Sequence, residues 1–144
     1  MTKAPSNEPN PAFIGTVLSV VALVRDENER ILLASSSENG PWSCIGGGVV
    51  DGQDLARAAT EFARDDCGLT VEVGDVVAEL SGDKYRVLYE CLADVTYVAT
   101  VFDARLLAED EPAPMRVNWF AAEELAGLYL DEFATAALAD LRLL

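Results

Sequence analysis

Hydrophobic positions change their period several times along the chain, and each change predicts an element. From 13 to 24 the β-branched residues Ile14, Val17, Val20, Val21 and Val24 crowd together, as in a central strand buried on both faces. A charged turn over 25–29 follows, and a second strand is predicted from 30 to about 36. Asn39-Gly40 supplies a tight turn into a strand carrying Trp42 and Cys44. Gly46, Gly47 and Gly48 then read as a turn whose backbone can approach a ligand closely. Asp51-Gly52 makes another turn, and from 53 to 67 the period becomes helical. Leu55, Ala59, Phe62 and Ala63 share one stripe, with Arg57, Glu61 and Arg64 opposite, and Gly68 stands where a C-cap glycine belongs.

Beyond the helix, a short strand is predicted over 71–77, a break over 79–82 and a further strand over 84–92. The most regular late strand covers 95–107, with Tyr97, Val98, Val101 and Phe102 set among small residues. Glu109, Asp110 and Glu111 form an acidic loop ahead of Pro112 and Pro114. The run 117–120 leads into a short helix over 122–128, and an amphipathic helix over 131–143 ends the chain. Strands in the first and third quarters, one helix between them and helices at the end predict an α/β fold with a mixed sheet covered on both faces. Residues 1–11, polar and proline-rich, are expected to be a flexible N-terminal arm, and 12–144 a single domain.

Composition narrows the class. At 144 residues with 51% hydrophobic content, the chain can bury a sizeable core despite a net charge of −15. That charge excludes nucleic-acid binding by general electrostatic attraction. A phosphorylated substrate would need a bridging metal or a local arginine cluster. Cys44, Cys67 and Cys91 form no CxxC pair, and without histidine neither a zinc site of the His/Cys kind nor a histidine triad is expected. A reducing cytoplasm fits this usage. The longest apolar stretch, 12–24, is too short to span a bilayer, so no membrane partner is expected. With Lys3 as the one basic residue before it, a signal peptide is not expected either.

Asp65 and Asp66 are placed against the helix macrodipole, in the last turn, where each costs roughly 0.3–1 kcal/mol. Their mutual repulsion adds about 1–3 kcal/mol at an effective dielectric near 20. A divalent cation would reverse both terms; a frayed, solvated helix end would merely weaken them. The residues alone leave both readings open.

The segment 47–69 is similar to the signature of the Nudix hydrolases, G-x5-E-x7-R-E-U-x-E-E-x-G-U with U a bulky apolar residue. Gly47 takes the first glycine, Gln53 the first glutamate, Asp65 and Asp66 the paired glutamates, and Gly68-Leu69 close the pattern. Trp42, Ala58-Ala59 and the later Trp119-Phe120 also match the family's surroundings. The resemblance implies an α/β/α sandwich and a divalent-metal-dependent hydrolase of a nucleoside diphosphate-linked or related diphosphate substrate. It implies Asp65 and Asp66 as ligands of Mg2+ or Mn2+, and Gly46, Gly47 and Gly48 as a seat for metal and phosphates. Glu61 is the candidate catalytic carboxylate, with the acidic loop as a second source of a base. Arg86 is the candidate substrate-binding cation, beside Lys84, Arg25, Arg30 and Arg116. The box is degenerate: Glu61 and Phe62 replace the family's Arg-Glu pair, and Gln53, neutral, is available to hydrogen-bond Glu61. These changes imply weak or specialised turnover, or else a non-catalytic module that binds a nucleotide or a protein partner. A homodimer is left open.

Overall fold

The computed structural model describes residues 9–110 and 112–144. Residues 1–8 of the expected arm and Glu111 of the acidic loop therefore lie outside the described residues. The arm's last residues, 9–11, run against Cys91, whose thiol donates to the Pro9 carbonyl and whose carbonyl accepts the Ala12 N–H.

Among the described residues, seven strands and three helices follow in the order β1 (Ile14–Val24), β2 (Ile31–Ser35), β3 (Ile45–Gly48), α1 (Leu55–Cys67), β4 (Leu69–Leu80), β5 (Arg86–Leu88), β6 (Asp94–Glu109), β7 (Arg116–Phe120), α2 (Ala122–Leu125) and α3 (Glu132–Asp140). A 3₁₀ turn, Asp83–Tyr85, precedes β5. The main sheet runs β3-β1-β6-β4, with β5 added to β6. Its axis is the parallel pair β1 and β6, in unbroken register from Ile14 opposite Asp94 to Val24 opposite Ala104; β3, β4 and β5 pair antiparallel. β2 and β7 form a separate antiparallel ribbon. The mixed sheet between helices is the α/β sandwich that the sequence predicts.

Strand periodicity sorts side chains to the two faces. Val20, Ala22 and Val24 join Ala58, Ala59 and Ala63 of α1, while Val21 and Leu23 pack on the other face with Leu125 of α2 and Leu138 of α3. No helix of the described residues is long and apolar enough to cross a membrane.

Several boundaries differ from the sequence reading. The glycine run is strand β3, not a turn: a Cβ at Gly46 would lie 1.9 Å from the Val20 carbonyl oxygen, so glycine is what lets β3 lie flush on β1. Trp42 and Ser43 make only isolated bridges, to Leu130 and Ala34. β4 continues through the expected break at 79, carrying irregular register where it crosses β6. The expected strand over 84–92 is reduced to β5, because the chain turns at Leu92 with φ 69°. Residues 117–120 are strand β7, because Trp119 and Phe120 find partners in Leu32 and Ile31. α1 begins after Asp54, whose carboxylate caps it by accepting the Arg57 N–H at 3.1 Å, and ends at Gly68 in the left-handed conformation, φ 67°.

Candidate functional site

A cavity of about 610 Å³ opens beside β3 and extends towards the start of α3. Gly46, Gly47 and Gly48 form one wall, together with Phe62 from α1. The Phe62 ring covers Gly47 so closely that a Cβ there would sit 2.6 Å from a ring carbon. Four further aromatic residues, Tyr89, Tyr97, Tyr129 and Phe133, also line the cavity. The Tyr89 and Tyr97 hydroxyls hydrogen-bond each other, and Tyr97 meets Phe133 edge to face at 5.8 Å. Burial, and then the bond to Tyr97, raises the Tyr89 pKa, so Tyr89 stays protonated and uncharged.

Next to the cavity lies a crevice of about 10 Å³, bordered by Asp66, Asp131, Gly46 and Cys44 among others. That is space for a single water-sized occupant. Asp131 borders both spaces, held in place as the N-cap of α3 by accepting the Ala134 N–H at 2.7 Å. Asp66 is positioned by the end of α1, and its carbonyl accepts the Met115 N–H at 2.9 Å. Behind it Cys67 is buried, and desolvation with the Asp66 charge pushes its thiol up to about 12, which leaves it a neutral packing group.

The site residues expected from sequence do not all converge here. Asp65 turns away from the crevice: its side chain is 67% exposed and paired with Arg64 at 3.3 Å. Glu61 pairs with Arg57 one turn earlier, at 3.4 Å, and lines neither space. Gln53 uses its amide oxygen to accept the Val50 N–H at 3.3 Å, so its observed bond is not to Glu61. Arg86 grips Asp94 with two hydrogen bonds of 2.8 and 2.7 Å and does not line the cavity. Lys84 pairs with Asp140, and Arg116 lies 4.3 Å over the Trp42 ring while donating to the Ser37 and Glu38 carbonyls. Arg25 and Arg30 line a broad groove near Trp119, each paired with an aspartate. In the acidic loop, Asp110 accepts from the Thr70 hydroxyl, away from both spaces.

Asp131, Tyr97, Tyr129 and Phe133 have no site role in the sequence reading. Their only linear signal is an aspartate at the predicted start of the last helix, which a cap explains by itself.

The donor set decides which metal chemistry these residues suit. Among the described residues, no three acidic or cysteine side chains gather as a metal-holding group. The full carboxylate set implied by the signature is therefore not assembled, since Phe62 and Gln53 are not carboxylates and Asp65 faces outward. What remains is the pair Asp66 and Asp131 on a one-occupant crevice. Two carboxylates suit Mg2+, which keeps several waters and shares its shell with substrate phosphates instead of filling a protein cage.

No protein-family model matches the sequence, and no curated protein matches it. Solved structures do. The chain is similar to a UDP-X diphosphatase (TM-score 0.71, 16% identity), covering 96% of this chain and 64% of that one, so it spans less than two thirds of that protein's length. It is similar to an ADP-ribose pyrophosphatase from Streptococcus suis 89-1591 (TM-score 0.63, 28% identity), over 88% and 87% of the two chains. It is similar also to a Nudix hydrolase from Nitrosomonas europaea (TM-score 0.65, 13% identity), over 89% of each. The first two are named as a diphosphatase and a pyrophosphatase and the third as a Nudix hydrolase, and all three share the overall fold of this chain. By its fold, this chain is similar to the Nudix hydrolases, and its box is degenerate against their signature.

Proposed function

We propose that the chain hydrolyses a nucleoside diphosphate-linked or related diphosphate substrate, slowly or on a narrow set of compounds, with Mg2+ or Mn2+. The observation that carries this reading is the one-occupant crevice bordered by Asp66 and Asp131, opening next to a cavity with a glycine wall. Asp66 and Asp131 are the residues that would hold the ion. When bound, it would supply neutralisation of phosphate charge and activation of water. The chain's own residues do the remaining work. Gly46–Gly48 line the cavity with backbone and no side chains of their own, and the Phe62 ring fills the space over Gly47. The aromatic lining orients the non-phosphate part of the substrate and keeps water from it.

A second reading is favoured by a separate observation: the Phe62 ring stands on Gly47, and Asp65 is turned out to Arg64. In that reading the chain is a non-catalytic module that binds a nucleotide.

A diphosphate panel at millimolar manganese separates the two, scored by release of phosphate or nucleoside monophosphate. Turnover that disappears in Asp66→Asn and persists in Asp65→Asn is the expected result. A panel with no turnover, in which a nucleotide still raises the melting temperature, would overturn the hydrolase reading. The ion itself is checked by thermal shift, because a cation that binds only the folded chain stabilises it by about 2.7 kcal/mol at one hundred times its Kd. Manganese should raise the Tm of wild type and Asp65→Asn, and leave Asp66→Asn unmoved.

A further inference from the structure

The charge of the large cavity is one-sided. Asp131 and Glu132 are the charged residues that line it, and among the described residues no lysine or arginine does. The neighbouring cations are engaged elsewhere, Arg86 with Asp94 and Lys84 with Asp140. The N-terminus of α3, which alone would attract an anion, already has Asp131 as cap and Glu132 in its first turn. With −15 over the whole chain, the background potential at the opening has the same sign.

The rings complete the picture. Tyr89 and Tyr97, from just past β5 and from β6, and Tyr129 and Phe133, from the approach to α3 and its start, all line the cavity. Tyr97 is braced by Phe133 and by the Tyr89 hydroxyl, so part of this lining is set before any ligand arrives. A cation over aromatic faces is attracted by their quadrupoles, and a nearby carboxylate compensates its lost hydration. An anion in the same place would meet like charge on a lining that carries no lysine or arginine among the described residues.

We infer that the aromatic lining of the cavity takes an organic cation, an alkylammonium or quaternary ammonium group. Resting on the hydrolase reading, this makes the substrate a diphosphate ester whose far end carries a positive charge. The phosphates then lie at the crevice and the ammonium among the tyrosines. A neutral aromatic ring would stack on the same side chains but would gain nothing from Glu132.

Calorimetric titration of the metal-free protein with choline, and with its uncharged carbon isostere 3,3-dimethylbutan-1-ol, tests the inference. Choline should bind about tenfold tighter than the isostere, as expected for a partly desolvated cation–π site. Glu132→Gln should weaken choline several-fold and leave the isostere unchanged, and Tyr129→Leu should weaken choline too. Both residues are exposed, Tyr129 at 62%, so the variants should keep the fold, which circular dichroism checks. Equal affinity for the two probes, binding of neither, or an unaltered choline affinity in Glu132→Gln would each overturn the inference. Choline binding with no diphosphate cleaved would leave the cation site standing and remove the hydrolase reading. Cleavage of diphosphates with no preference for choline over its isostere would do the reverse.

Discussion

Under α1 the sheet meets small residues, and on the opposite face it meets rings. Ala58, Ala59 and Ala63 pack on Val20, Ala22, Ile45 and Ala104, and glycines bring β3 flush against β1 and α1. Below α2 and α3 the core is built around Trp42, Tyr85 and Phe120, with Trp42 and Phe120 edge to face at 5.0 Å. Alanine and glycine contacts permit one short approach distance, so they fix α1 tightly. Large rings interlock less completely, and the cavity of about 610 Å³ lies at their margin. The crevice side of the site therefore depends on which Cβ atoms are absent, and the ligand side on which rings are present.

The sharpest way to break this comparison is to add one methyl group to β3. In Gly46→Ala the new Cβ would stand 1.9 Å from a backbone oxygen, which has no rotamer to escape into. A loss of about 3 kcal/mol or more is expected, with denaturant unfolding as the measurement. Gly47→Ala meets only the Phe62 ring, at 2.6 Å, and a ring can swing aside. It should cost about 1–2 kcal/mol, much of it recovered when Phe62 is changed to Leu. Equal losses at the two positions would mean that close approach of β3 to β1 is not what the glycines serve.

Phe62 itself is next. A fully buried ring would cost about 3–5 kcal/mol on truncation to Ala, but Phe62 is only half-buried, so about 1–3 kcal/mol is expected. Replacing Gln53, Glu61 and Phe62 together with Glu, Arg and Glu restores the signature. Manganese affinity by calorimetry should then rise at least about tenfold while the melting temperature falls, because a carboxylate joins Asp66 near the crevice. A folded variant with unchanged affinity would move the metal question away from the box.

How much of this was legible depends on how local each cause is. β1 could be read because its second half, 19–24, is buried on both faces and concentrates β-branched residues, although Ile14 and Leu18 at its start are exposed. α1 could be read because its cap Gly68 and its alanine stripe lie within its own sequence. β3 reads as a turn in the sequence, since three glycines carry no strand signal and the reason for them, the Val20 carbonyl, lies on another strand. β7 likewise needs β2 to exist. Of the residues the signature points to, Gly46–Gly48 line the candidate cavity and Asp66 borders the crevice. Asp131 meets Asp66 only through the fold, and the tyrosines gather from separate elements with no spacing in common. Arg86 looked like a substrate cation because its partner Asp94 is reached only once β5 turns back on β6.

The smallest expected effect concerns how the ring-packed face is tied at its edge. Asp140 of α3 accepts from the Lys84 ammonium and from the Tyr85 hydroxyl, which joins the helix to the 3₁₀ turn beneath it. Lys84 first, and then Tyr85, hold the Asp140 carboxyl below its ordinary value of 3.8. Because the folded-state value lies below the unfolded one, this contribution is complete above the unfolded value and is lost as pH falls through the folded one. Asp140 is solvated, so the contribution is modest and screened by salt. Acidification also relieves the repulsion of a −15 chain, which would obscure the effect in wild type alone. Comparison with Asp140→Asn cancels that background. At pH 7 the variant should be slightly less stable than wild type in urea unfolding. The gap should close as pH drops below the ordinary carboxylate range, until the two curves merge. A gap that persists at low pH would mean that the substituted amide disturbs packing instead of removing a charge. No gap at any pH would mean that rings alone hold α3, which would make the contrast between the two faces sharper still.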